Sequence, residues 1–187
     1  MATDLYVPKS KLDKPPLEIR TLGDRVLRQE TRNVSTINDE VRKLARQMLQ
    51  TMYSADGIGL AAPQVAINKR VIVIDIDPEN TATPPMILVN PTIKRVSREL
   101  ALGQEGCLSI PNVFADVCRP AHVVATYRDL SGKPMTVEAS GLLARAIQHE
   151  YDHLEGVLFV DRVENQLALA TELKEHGFSM RDVQVRN

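Results

Sequence analysis

Two cysteines, Cys107 and Cys118, are all that this chain of 187 residues contains, too few for a disulfide framework. One bridge could form, but free thiols or a single metal thiolate in a compact intracellular protein suit that number better. An excess of either charge is also lacking. Lys and Arg number 23 against 24 Asp and Glu, and the sequence pI is near 6.4, so the basic patch or stripe of a dedicated nucleic-acid binder is not expected. No apolar run approaches the length of a membrane span, and Asp4, Asp13, Glu18 and several prolines stand where a secretory signal would have its apolar core. A soluble, non-secreted protein is expected, in the cytoplasm or, after removal of a transit peptide, in a chloroplast or other organelle. Two phosphate-binding signatures are missing as well, because no GxGxxG occurs and no glycine-rich run ends in Gly-Lys-Ser/Thr.

A hydrophobic fraction of 43% over this length can bury one sizeable core. Residues 1–16, with Pro8, Pro15 and Pro16, suggest an extended arm; 17–178 would form the one folded domain and 179–187 a tail. Asn38 is an N-cap candidate for an amphipathic helix in which Val41, Leu44, Ala45, Met48, Leu49 and Met52 recur at helical spacing through Tyr53. Its methionines are core filler. Segments 71–75, 86–90 and 92–97 are predicted strands, with Pro91 breaking the last two apart. Segments 122–127 and 134–138 flank Asp129-Leu130-Ser131-Gly132-Lys133, a hairpin signal. A helical period returns at Leu142, Leu143, Ala146, Ile147 and Tyr151, Gly156 closes it, and 157–160 suggests a short strand. A last helix over 166–175 stops before Gly177. Without regular alternation of strand and helix, the expected class is α+β: one domain of antiparallel strands packed around the helix that spans residues 149–153.

That helix carries His149-Glu150-Tyr151-Asp152-His153, an HExxH sequence. One turn separates the imidazoles, so both project from one face and can meet one metal ion, with Glu150 beside them as a candidate base. A catalytic centre needs a third ligand and an open position. Cys107, in Glu105-Gly106-Cys107-Leu108-Ser109, is the best donor. Glu155 is awkwardly placed for coordination and could orient an imidazole from outside the ligand set. Cys118 more plausibly packs, and His122 and His176 have no comparable partner spacing. The segment Gly57-Ile58-Gly59-Leu60-Ala61-Ala62-Pro63-Gln64 permits tight turns and close approach. Its Gln64 is a neutral amide donor that could stabilise an oxyanion without competing for the metal.

Taken together, GIGLAAPQ (57–64), EGCLS (105–109) and QHEYDH (148–153), the last continuing as Leu154-Glu155-Gly156, resemble the three ordered motifs of the peptide deformylases, and the resemblance spans about residues 17–165. It implies Cys107, His149 and His153 as ligands of one divalent ion, Fe²⁺ foremost, with Zn²⁺, Ni²⁺ or Co²⁺ as alternatives. It implies Glu150 as acid/base, Gln64 and the Leu108 N–H as oxyanion donors, and Ile58, Gly59, Glu105 and Arg119 near the substrate or supporting the site. The implied reaction is hydrolysis of the formyl group from N-formylmethionine of newly made proteins, releasing formate, with nascent peptides and, transiently, the ribosome as partners. Ile58, Leu108, Leu142 and Ala146 could line a slot for the methionine side chain. A zinc peptidase of the HExxH class is the rival enzyme, set apart by its lack of a cysteine ligand, and a closed four-ligand structural site is the non-enzymatic rival.

Overall fold

In the computed structural model, residues 7–186 are described; positions 1–6 of the expected arm and Asn187 of the expected tail lie outside the described residues. From Val7 onward the arm lies across the first helix. Leu12 N–H donates to Ser54 Oγ at 3.1 Å and Leu17 N–H to Thr51 Oγ1 at 3.3 Å. The buried Lys9 ammonium meets Asp75 Oδ2 at 2.7 Å.

Helix α1 (Asp39–Ser54) begins where Asn38 Oδ1 accepts the Val41 N–H at 3.2 Å, and Asp39 and Glu40 add negative charge at its positive end. Its apolar stripe buries Val41, Leu44, Met48, Leu49 and Met52 against Leu60, Val71 and Val73. Those partners belong to a five-stranded antiparallel sheet in the order β1 (Gly59–Ala61), β2 (Val71–Ile74), β3 (Met86–Val96), β6 (His122–Arg128), β7 (Pro134–Ser140). A separate two-stranded sheet pairs β4 (Leu100–Cys107) with β5 (Ile110–Pro120). Helix α2 (Gly141–Leu154) sets Ala146, Ile147 and Leu154 against Ile72, Ile74, Leu88 and Val123 of the larger sheet. Helix α3 (Gln166–Glu175) follows, starting at an Asn165 cap and giving way to Gly177 at φ 80°. The domain is therefore α+β with antiparallel sheets, as its pattern of segments implied.

Two predicted segments differ in the structure, and strands β4 and β5 fill a stretch where no strand was predicted. Residues 86–90 and 92–97 form one strand, not two: the ladder shifts register between Val89 and Thr92, and Asn90 takes a left-handed φ of 51°. The Asn90 side chain offsets that strain by exchanging two 2.8 Å hydrogen bonds with the backbone of Val34. The run 157–160 is no strand. It enters a 3₁₀ turn, Phe159–Arg162, closed by Asp161 Oδ2 accepting the Leu158 N–H at 2.8 Å. The segment 57–64 forms β1 and enters the 3₁₀ turn Ala62–Val65, in keeping with the tight turns its glycines permit.

Candidate metal centre

The two elements that meet here are α2 and the turn end of β4. His149 and His153, one helical turn apart, have ring centroids 5.1 Å apart. Cys107 Sγ lies 3.3 Å from His153 Nε2, and the potential ligand atoms of Cys107, His149 and His153 all fall within 4.8 Å of one another. Ligands about 2.0–2.3 Å from a tetrahedral ion stand about 3.5 Å from each other, so this donor set fits one divalent ion. His149 Nδ1 is held by Glu105 Oε2 at 2.9 Å, which leaves its Nε2 for the cluster. Burial opposes charge on His149, yet bonds from Cys107 and Glu105 carry it well above the ordinary imidazole range. His153 moves the opposite way, depressed by burial and by the neighbouring His149. Coordination requires a thiolate and neutral imidazoles, so ion uptake here releases protons.

Beside the cluster opens a cavity of about 590 Å³ lined by Ile58, Gly59, Gln64, Leu108, Leu142, Ala146 and Glu150, among others. Glu150 is buried, and its Oε2 has no hydrogen-bond partner. Burial pushes its pKa up to about 7, His149 pulls it down, and the charge of Glu105 adds to the rise. Gly59 makes room for it: a Cβ there would stand 2.8 Å from Glu150 Cδ and closer still to Oε1. Gln64 is buried, with Oε1 accepting the Ala61 N–H at 2.8 Å. That bond fixes the amide's orientation, so Nε2 faces the cluster, 3.1 Å from Ser109 Oγ and 3.4 Å from Cys107 Sγ.

Behind the imidazoles runs a buried ionic network. Arg119 grips Glu105 with Nε at 2.5 Å and Nη2 at 2.8 Å, and reaches Asp152 Oδ2 with Nη1 at 2.8 Å. Arg162 completes Asp152 with two bonds of 2.6 Å. Burial opposes charge on Glu105, but the bonds from Arg119 and His149 outweigh it and hold the carboxyl far below the usual range.

Of the two places implied for Arg119, near the substrate or supporting the site, the geometry matches the second: the residue is 3% exposed, lies outside the cavity lining and has its guanidinium engaged by two carboxylates. Glu105 does reach the cavity wall, but its oxygens serve His149 and arginines. The orienting role considered for Glu155 thus falls to Glu105, because Glu155 pairs with Arg70 at 2.6 Å. Cys118 is a free, half-buried thiol in β5, and His122 and His176 stand away from the cluster beside Glu99 and Glu172. Asp152, Arg162, Arg145 and Ser109 escaped the sequence reading. Helical spacing could have found two of them, since positions 145, 149 and 152 share one face of α2.

The model of the family described as polypeptide deformylase matches residues 16–168. Peptide deformylase 2 of Gloeobacter violaceus is 72% identical over 186 residues, covering 100% of both chains, and the peptide deformylase of Microchaete diplosiphon is 58% identical with 98% of each covered. The crystal structure of a peptide deformylase from Synechococcus elongatus in complex with actinonin superposes with a TM-score of 0.96 at 57% identity, over 100% of both chains. That of Thermotoga maritima gives 0.75 at 38% identity, covering 79% of this chain and 97% of its own. With a family model matched over residues 16–168, a relative 72% identical over the whole chain and a fold shared along its full length, this chain belongs to the polypeptide deformylase family.

Proposed function

We infer that this protein is a peptide deformylase, a metal-dependent amide hydrolase that removes the formyl group from N-formylmethionyl peptides and releases formate. The observation that carries the reading is the junction of a Cys/His/His donor set with a buried, unpartnered glutamate oxygen on the same helix. When bound, a divalent ion supplies a Lewis acid and a water of lowered pKa.

The residues around it supply the rest. Glu150, lifted to about 7 by burial, sits in the range where a carboxylate can both take a proton from water and return it to the departing amine. A cation beside it draws that value down and favours the basic form. Gln64 Nε2, fixed by the Ala61 N–H, aims a donor at the space beside Cys107, and the Leu108 N–H is its proposed companion. An oxyanion donor of this kind is worth about 3 kcal/mol. Ile58, Gly59, Leu142 and Ala146 line the cavity where an unbranched methionine side chain would lie. A formyl hydrogen in place of an acyl methyl suits a carbon that must approach this crowded corner.

The soft thiolate with two imidazoles accommodates Fe²⁺, the proposed native ion, and also Zn²⁺, Ni²⁺ or Co²⁺. Nascent chains as substrate would bring the enzyme transiently to the ribosome. Incubating metal-loaded protein with formyl-Met-Ala-Ser and with acetyl-Met-Ala-Ser tests the reading. Formate should appear from the former and the acetyl peptide should persist; internal peptide cleavage without formate would instead indicate an HExxH peptidase.

A further inference from the structure

The metal centre is built from two pieces that share no ladder. Cys107 comes from the β4–β5 hairpin and the imidazoles from α2, and among the described residues the hairpin forms its own two-stranded sheet, not bonded to the five-stranded one. Coordination distances therefore depend on side chains that bridge hairpin and helix. We propose that Arg145 is a positioning residue that sets this spacing, and that Gly103 is the notch that admits its guanidinium.

Arg145 lies on α2 one turn before His149, on the same face. Its Nη1 donates to Val117 O at 2.9 Å and Gly103 O at 3.3 Å, which belong to cross-strand partners, and its Nη2 donates to Ala101 O at 2.7 Å. One planar group thus fastens both strands of the hairpin to the helix. The same Nη1 reaches Glu105 Oε1 at 2.8 Å, while Glu105 Oε2 holds His149 Nδ1 at 2.9 Å. The guanidinium is keyed at once to the strand that delivers Cys107 and to the carboxylate that aims His149. At 14% side-chain exposure, these bonds are little screened by water. A lysine ammonium has no planar fork and cannot satisfy all four acceptors from one position.

Gly103 shows the same fit from the other side. A Cβ at this position would stand 2.8 Å from Arg145 Nη2 and 3.0 Å from Cζ, so an alanine would push the guanidinium off the hairpin without removing any charge. Arg119 does not duplicate the clamp. It leaves β5 to bind Glu105 and Asp152, while Arg145 alone of the two grips the backbone of both strands beside Gly103.

The test titrates metal-stripped wild type, G103A, R145K and R145Q with Co²⁺, reading affinity and the cobalt absorption spectrum, and follows formate release from the same loaded samples. The turnover arm rests on the deformylase reading; the cobalt arm does not, so a wild type that binds Co²⁺ but releases no formate refutes that reading and leaves the clamp decided by the titration. Groups that support metal ligands typically contribute 10–100-fold to metal affinity, and from one step further out we expect G103A and R145K to bind Co²⁺ about ten-fold more weakly. Their spectra should be altered, with the kinetic loss falling on kcat more than on KM. L102A, on the exposed outer face of the same hairpin, should match wild type. Variants that melt earlier yet bind Co²⁺ with wild-type affinity and spectrum would overturn the proposal. G103A and R145K decide it even if R145Q does not fold.

Discussion

Replacing Gly59 by alanine tests the placement of Glu150 without touching its chemistry. The added Cβ would lie 2.8 Å from Glu150 Cδ and 3.0 Å from Cγ, and would overlap Oε1. The backbone cannot retreat easily: Gly59 is paired with Ile74 in the sheet, and the Asp75 N–H holds Ile58 O at 2.8 Å. The carboxylate must therefore move by about 1 Å to recover ordinary contact, and a misplacement of that size typically costs on the order of 10²-fold in rate. Overpacking by one methyl costs about 1–3 kcal/mol of stability, so G59A should still fold. The three atoms nearest to this methyl all belong to Glu150, and metal content should stay at the wild-type level. Formate release from formyl-Met-Ala-Ser, metal content by mass spectrometry and a thermal melt together decide the matter. A folded, metal-loaded G59A with wild-type turnover would refute the idea that the Glu150 carboxylate works from the position it holds against Gly59.

Glu150→Gln should keep its metal and lose about 10²–10⁴-fold in turnover; near-normal formate release would remove Glu150 from the proton path. In metal-free protein the same variant tests the raised pKa. Because the folded value is lifted from 4.5 to about 7, the stability conferred by the protonated form is present below pH 4.5 and lost as pH rises through about 7. E150Q should therefore melt higher than wild type at pH 8, and a lower melting temperature would contradict the burial of that charge. Cys107→Ala should lower metal occupancy, checked by metal analysis after dialysis, and unchanged occupancy would exclude the thiolate as a ligand. Glu105 is shifted downward, so its contribution is present above pH 4.5 and lost as pH falls below it. Melting curves between pH 6 and 3 should fall less steeply for E105Q than for wild type, and parallel slopes would refute this.

The sequence made the candidate reacting groups legible because each is announced locally. Two histidines one turn apart on one helix need no tertiary information, and Asn38 and Gly156 mark helix ends by their own chemistry. The β4–β5 hairpin was hidden because β4 runs against the ordinary apolar-inward pattern. Its outward face carries Leu100 and Leu102, 60% and 71% exposed, while Glu105 and Arg119 are buried on the inward face. A rule that assigns apolar residues inward orients β5 correctly through Val113 and Val117, but turns β4 the wrong way round. The role of Arg119 stays open between substrate and support in the sequence, since its partners Glu105 and Asp152 become visible only once β5 is laid against β4 and α2. The run 157–160 misled for a different reason: four buried apolar residues suit a strand or a turn equally, and the Asp161 side chain settles it by closing the turn.

Stability alone does not account for the buried network of Glu105, Arg119, Arg145, Asp152 and Arg162. Desolvating such groups is costly, and replacing buried ion networks by apolar side chains is often neutral or stabilising. What apolar side chains cannot supply is direction. Glu105 accepts from Arg119 and Arg145 on one oxygen and from Arg119 and His149 on the other. Its acceptor capacity is thereby filled, and the ionised acceptor-only form fixes which imidazole nitrogen carries the proton. The HExxH spacing brings two rings to one face; this carboxylate decides which nitrogen His149 presents there.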